Sequence, residues 1–357
     1  MTALLDLIDE VSNIKQDLRT AINNKGGSLS SSTPFADYVD AIDNIPSGDA
    51  ILERTLSGAQ TFNVQSIGDC ALSKNNNMTS ISLPNCTSIG ERSIQGCLSL
   101  VSASLPSYEG WTINTSTGDV DKWTNGYGGY CFEYCENLST LDLSSLKIMP
   151  GDFLAECENI SSFTAPNMIG FNGSAVRVKG DSQKTSYGIC TELGLDFMNY
   201  LYLSRMTDIL SGYVADSNNN ITNTLSFPNL LTIEEEFINF DTSDSSHPLY
   251  NIKTLSMPSL LKIGDWTRIT ANITSLDLPS IISIGNGALE NCNSLLTIDI
   301  GKHVKQIGNN AFNGCQNVTT VNIDINQSTQ DQEIIDNVIN TAPWGLDQSV
   351  TINWTGQ

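Results

Sequence analysis

The sequence predicts an α/β repeat solenoid with one parallel strand per turn, preceded by an N-terminal helical segment. Three observations predict it. A phrase of alternating apolar and small polar residues recurs along the chain, a second phrase built on Ile-Gly precedes most copies, and a heptad pattern occupies residues 3–25. Recurrence at a fixed period of a few dozen residues is the mark of stacked supersecondary units, none of which can bury its apolar face alone.

The first phrase, Leu-Thr-x-Ile-x-Leu-Pro or a near variant, begins at Met78, Leu100, Leu138, Ile160, Met198, Thr222, Ile252, Ile273, Leu295 and Val318. One set of positions is apolar: Ile81/Leu83, Leu141/Leu143, Leu225/Phe227, Leu276/Leu278 and Ile298/Ile300. The interleaved set is small and polar: Ser80/Ser82, Ser102/Ser104, Thr140/Asp142, Thr254/Ser256, Ser275/Asp277 and Thr297/Asp299. Period two with β-branched residues reads as a strand with one buried face. Tyr200 and Tyr202 fall on the polar phase of the Met198 copy and are expected to be exposed.

The second phrase is Ile-Gly-x-x-Ala-Phe-x-x-Cys, as in Ile307-Gly308, Ala311-Phe312 and Cys315, or Ile284-Gly285, Ala288-Leu289 and Cys292. The glycine permits a tight corner, and the Ala-Phe pair plugs the core from the opposite side. Cys97, Cys135, Cys157, Cys292 and Cys315 each stand three residues before a strand's first apolar residue, where Asn75 and Asn219 take the same slot. A small group there turns inward toward backbone of the neighbouring turn. Nine cysteines cannot all pair internally, and a shared packing slot argues for buried, reduced thiols. Cys131 and Cys135 form a C-x3-C, which reads either as half of a metal site or as the Ala and ladder slots of one turn; the slots account for both.

On these motifs the stretch Ile67–Asp324 resembles the BspA-type leucine-rich repeats of bacterial surface proteins. The resemblance implies a parallel-stranded solenoid and a binding role, since family members are adhesion or host-interaction proteins. The boundaries are then 1–48 for the helical attachment segment, 49–66 for an N-terminal cap, 67–326 for the array with its loop insertions, and 327–357 for a C-terminal cap helix and strand.

The ends carry their own signals. Leu4, Val11 and Leu18 lie seven apart, with Leu7, Ile14 and Ala21 in the matching register. This is either a short oligomerisation seam or an amphipathic helix packed on its own chain. Gly26-Gly27 ends the helix, and Thr33-Pro34 starts a second. The stretch Ile14-Lys15 through Ile42 resembles the N-terminal segment of phage tail and fibre proteins, which implies attachment to other virion proteins and homo-oligomerisation. Met1–Glu10 lacks the basic region of a signal peptide, in keeping with assembly in the bacterial cytoplasm. At the other end, 330–341 reads as a helix stopped by Pro343, and 350–354 as a closing strand.

Composition excludes several classes of partner. The formal charge is −22, with 17 basic against 39 acidic residues, so phosphate backbones and anionic lipid surfaces are repelled. No run approaches the ~20 apolar residues needed to span a bilayer. The two histidines, His247 and His303, lie in no metal or nucleophile motif, and no phosphate loop or carboxylate pair stands out. The chain is therefore read as no enzyme, with no cofactor and no metal. Asp216–Asn220 has alternating oxygen ligands but lacks the glycine and closing glutamate of a calcium loop.

Binding residues are sought on the exposed strand face and in insertions at about 107–129, 171–192, 210–218 and 234–250. All of these fall between the Ile corner and the ladder slot, and so are expected on one side. The candidates are Tyr200 and Tyr202 on the strand face and Tyr108, Trp111, Trp123 and Tyr127 in the first insertion. Aromatics in loops rich in Gly, Asn and Ser serve recognition or pin the loop to its own scaffold. The leading expectation is a phage fibre or tail protein that presents the repeat surface to a host glycan or protein. The alternatives are a bacterial cell-surface adhesin and a purely structural decoration protein.

Overall fold

The structure is a computed structural model that describes residues 15–16, 18–20, 55–178, 184–214, 223–240, 244–328, 330–347 and 349–356. Residues 15–16 and 18–20 are helical, and Leu18 is exposed; the seam residues Leu4, Leu7, Val11 and Ile14, the second helix, Asn219 and Asp216–Asn220 lie outside the described residues. The chain forms two compact units. One is Met1–Gly110 with Lys122–Met168 (unit 1), and the other is Trp111–Asp121 with Ile169–Gln357 (unit 2).

In unit 1 the front sheet holds Ser57–Thr61, Asn77–Ser82, Ser102–Ser104, Thr140–Asp142 and Ser162–Thr164, paired parallel in chain order. Ile81, Ala103, Leu141 and Phe163 are register partners on the inner face. In unit 2, Thr224–Ser226 pairs with Thr254–Ser256. Ser275–Leu278, Thr297–Ile300, Thr320–Ile323 and Thr351–Trp354 form a second parallel sheet. There Leu276 meets Ile298 and then Val321, all fully buried, while Ser275, Thr297 and Thr320 face outward. The alternation thus places one apolar side chain per turn under its neighbour.

The Ile-Gly phrase forms a second row of short parallel strands. In unit 1 these are Ser66–Ile67 and Ser88–Ile89. In unit 2 they are Gly170–Asn172, Tyr202–Ser204, Thr232–Glu234, Lys262–Ile263, Ser283–Ile284 and Gln306–Ile307. The conserved spacing of the glycine has a different cause from the expected corner. Gly90, Gly285 and Gly308 do not have positive φ. Instead, a Cβ on Gly90 would lie 2.5 Å from Asp69 N, and one on Gly285 2.5 Å from Asp265 N, so the stacked backbones come too close for a side chain.

A third face closes each turn. Leu72 N donates to Ser93 O (2.7 Å), Ile94 N to Cys131 O (3.0 Å) and Phe132 N to Phe153 O (2.9 Å). The residue two places before each of these inward plugs is left-handed, at Cys70 (φ 56°), Arg92 (56°) and Tyr130 (58°), and the same position of later turns is left-handed at Trp266 (54°) and Asn310 (55°).

The ladder slot behaves as the spacing predicts. The thiols of Cys97, Cys135, Cys157, Cys292 and Cys315 donate to the carbonyls of Leu72, Ile94, Phe132, Ile269 and Leu289, at 3.3, 3.3, 2.9, 2.9 and 3.0 Å. Each acceptor belongs to the preceding turn. Asn75 closes the first described turn by accepting from Leu56 N (3.1 Å). Cys131 packs on Ser93 Oγ at 3.4 Å in the plug slot. All nine cysteines are free thiols; Cys70 is exposed and the other eight are buried.

Burial pushes the Cys131 and Cys190 thiols up to about 12, from 9.0. A thiol raised in the folded state adds stability that is intact below pH 9 and is lost as pH climbs toward 12, because only the unfolded chain ionises there. The melting temperature is therefore expected to fall steadily above pH 9. In the native protein at pH 8 a thiol reagent should modify one cysteine quickly, and Cys70→Ser should remove that reaction. Rapid modification of several thiols would contradict the ladder.

Helical insertions interrupt unit 2. Helix α1, Ser186–Glu192, is capped by Thr185 Oγ1, which accepts from Gly188 N (3.0 Å). It packs against helix α2, Thr207–Val214, with Tyr187 edge-on to Tyr213. The inserted hairpin, Thr112–Ile113 against Val120–Asp121, is held at the start of the second-row strands. There Thr232 Oγ1 donates to Gly118 O (2.5 Å) and Lys262 pairs with Asp119 (2.7 Å). The helices instead follow the ends of those strands.

Candidate functional site

Three of the expected binding aromatics are core residues. Tyr202 is fully buried because Tyr202–Ser204 is a second-row strand, in register with Gly170–Asn172 and Thr232–Glu234, and not a front strand. Its hydroxyl donates to Ser204 Oγ (3.1 Å), so the polar group is satisfied inside. The Met198 phrase thus forms no front strand; Phe197–Asn199 is a 3-10 turn. Trp111 is 1% exposed and meets Tyr202 edge-on at 6.3 Å, which anchors the hairpin. Tyr108 is fully buried and stacked on Phe153 at 6.1 Å. Tyr200 is half-buried and edge-on to Phe171, and burial raises its phenol pKa.

Trp123 and Tyr127 remain at the surface. Trp123 is 73% exposed and stacks on Tyr127 with ring centroids 5.2 Å apart and planes 26° from parallel. A tight turn fixes the pair, with Gly126 N donating to Trp123 O (3.0 Å). The turn is bolted to the second row of unit 1. Ile89 N donates to Asn125 O (3.0 Å), Gly128 N to Ile89 O (2.9 Å) and Asn125 Nδ2 to Gly110 O (2.9 Å). Tyr127 in turn packs against Gly129, where a Cβ would lie 2.9 Å from Cδ1 of its ring. The result is a two-ring stack held from below with its outer indole face in solvent. Such a face suits the C–H side of a sugar ring or an apolar side chain of a protein, at little entropic cost on binding.

The front faces are flat and polar. In unit 2, Asn353 Nδ2 donates to Asn322 Oδ1 (2.8 Å) and Asn322 Nδ2 to Asp299 Oδ1 (2.6 Å), one rung per turn. In unit 1, Ser104 Oγ donates to Asp142 Oδ2 (3.1 Å). These ladders fix the side chains but offer no apolar anchor. Two exposed aromatics escaped the sequence reading: Tyr134, 38% exposed, and Trp266, 54% exposed, directly after Ile263-Gly264-Asp265. Among the described residues no group of three or more His, Cys, Asp or Glu is arranged to hold a metal ion, and no helix is long and apolar enough to cross a membrane.

Parallel strands stacked one per turn, with a small-residue ladder beneath them, define a leucine-rich-repeat protein of solenoid fold. The BspA type leucine rich repeat region matches in six copies over residues 59–176 and 217–342, and the chain belongs to that family. Among solved structures it is similar to a leucine-rich repeat protein from Bacteroides ovatus, with 16% identity over 82% of this chain and 88% of that one and a TM-score of 0.27. It is similar to a leucine rich cell surface protein from Faecalibacterium prausnitzii, with 14% identity, coverage of 85% and 88%, and a TM-score of 0.25. It is also similar to an internalin from Listeria monocytogenes, with 14% identity, coverage of 95% and 94%, and a TM-score of 0.25. No curated protein sequence matches the chain.

Proposed function

We propose that the protein is a non-catalytic recognition protein of the bacterial cell surface, which uses its repeat scaffold to hold rigid aromatic contact points toward a glycan or protein of another surface. The observation that carries this reading is the Trp123–Tyr127 stack, because two stacked rings with the indole 73% exposed make a contiguous aromatic face, where a lone exposed residue would carry nothing. Membership of the BspA-type family over residues 59–176 and 217–342 supports the surface role. The reading as a phage fibre or tail protein rests on residues 1–48, which fall almost wholly outside the described residues, and so takes second place.

The test is binding of labelled full-length protein to an immobilised panel of mammalian mucins, matrix proteins and bacterial surface polysaccharides. At least one member is expected to bind, and Trp123→Ala is expected to weaken it by tenfold or more, about 1.4 kcal/mol. The variant should melt with the parent, since the indole is 73% exposed and lies outside the core. An unchanged affinity would remove the stack from the binding surface.

A further inference from the structure

Trp266 is set apart from the other tryptophans of unit 2. Trp111 and Trp344 are at most 2% exposed and Trp354, in the closing strand, is half-buried, whereas Trp266 is 54% exposed. Its left-handed backbone turns it out of the third face. The equivalent residue of the next turn is Gly287, and a Cβ there would lie 2.5 Å from Cε3 of the indole. The six-membered ring therefore packs against Gly287, in the space that a side chain there would need. At the equivalent slot of unit 1, the Arg92 guanidinium covers the Tyr130 ring at 4.6 Å. Among the described residues no ring or cation stacks on Trp266.

Polar residues adjoin the ring in the chain: Asp265 precedes Trp266, Asn286 precedes Gly287, and Trp266 N donates to Asn286 O (3.0 Å). Asp265 Oδ1 accepts from Asn286 N (2.6 Å), and Asn286 Oδ1 accepts from Asn309 N (2.9 Å). Each bond holds its side chain to the next turn with one oxygen. Asp265 Oδ2 makes no hydrogen bond among the described residues, and Asn286 Nδ2 makes only a 3.4 Å contact to Asp265 Oδ1. Asp265 and Asn286 also line a groove of about 400 Å³, together with Lys262 and Gln306. Gly264 and Gly285 form part of its floor, and at Gly285 the close approach of the turn before forbids a side chain.

We infer that Trp266 on Gly287, with Asp265 and Asn286 at its edge, is a saccharide site of unit 2 that takes one face of a neutral hexopyranose. A pyranose carries an apolar C–H face and a rim of hydroxyls, so it needs a flat aromatic surface and a carboxylate or amide at the ring edge. A protein loop would need an apolar pocket for its anchor, which this polar groove does not supply. Anionic sugars and nucleotides are repelled by Asp265, by Glu234 and Glu235 in the same groove, and by the net charge of −22. The site is separate from the Trp123–Tyr127 stack and goes beyond the proposed function by naming a ligand class.

The test uses full-length protein on an array of neutral oligosaccharides (glucose, mannose, galactose and N-acetylglucosamine oligomers) alongside sialylated and uronic-acid oligomers, with titration calorimetry of the hits. Wild type is expected to bind at least one neutral oligomer. Trp266→Ala and Gly287→Asn should each weaken it by tenfold or more, and Asp277→Ala, on the exposed front face of the same unit, should leave it unchanged. Asn suits the left-handed backbone and already stands at the equivalent position 310, so Gly287→Asn lifts the indole off its seat without unfolding the turn. Matching melting temperatures check this. Binding of no neutral oligomer, binding of anionic oligomers alone, or full retention of affinity in Trp266→Ala would each overturn the inference. The Trp123 stack would be untouched by any of these results.

Discussion

Leu276→Asp is expected to unfold the neighbouring turns of unit 2. Leu276 is 1% exposed and sits in the register Leu276–Ile298–Val321. A carboxylate there has no partner within the apolar stack, and ionised or protonated it loses its hydration. The expected loss exceeds about 4 kcal/mol, the range reserved for unpaired groups forced into a core. Each turn is stabilised mainly by the turns on either side, so protection from hydrogen exchange should vanish first at Ser275–Leu278 and Thr297–Ile300. Asp277→Ala, one residue along on the exposed face, should shift urea unfolding by no more than about 0.5 kcal/mol. Equal effects at the two positions would mean that the strand has no buried side.

Gly90→Ala is expected to destabilise unit 1 by about 2–3 kcal/mol, a large effect for one methyl group. The added Cβ would lie 2.5 Å from Asp69 N and 2.6 Å from Gly68 C, and neither backbone atom can move without breaking the stack. Gly68 occupies the same place in the phrase one turn earlier, and a Cβ there would meet nothing within 4 Å among the described residues. Gly68→Ala should therefore be neutral, or stabilising by about 0.5 kcal/mol through loss of freedom in the unfolded chain. The pair separates two explanations of the glycine. If backbone torsion were the reason, both substitutions would cost alike; if turn-to-turn contact is the reason, only Gly90 is sensitive.

The front strands were legible because their two sets of residues differ at every step over several copies. The cysteine slot was legible because its distance from each strand is constant, and the thiols do reach the preceding turn. The Met198 copy failed for a physical reason. Tyr-Leu-Ser at 202–204 has the same period two whether it lies in the front sheet or the second row. In this second-row strand both phases are buried, and Tyr202 can point inward because its hydroxyl donates to Ser204 Oγ. Two of the first-insertion aromatics were misread in the same way, since Tyr108 and Trp111 have the composition of a recognition loop but serve as its anchors. Trp123, expected in a recognition loop, lies at the surface, and the hydrogen bonds of its turn could not be read from the sequence. Trp266 was missed because it fell inside the scaffold phrase. The available signal was the next turn, where a left-handed glycine replaces the residues found at Arg92 and Asn310 and so makes room for a ring.

The central claim is that consecutive copies lie side by side, parallel and in register, one strand spacing apart. Paired cysteines on the exposed front face of unit 2 test it most directly. Ser275 and Thr297 are register partners, and Thr297 is in turn the partner of Thr320. Neighbouring strands are about 4.8 Å apart, within the Cα separation a disulfide spans, whereas strands two apart are not. Mild oxidation should close Ser275→Cys with Thr297→Cys into an intramolecular disulfide and leave Ser275→Cys with Thr320→Cys open. Closure of the second pair, or of neither, would contradict the stacked array.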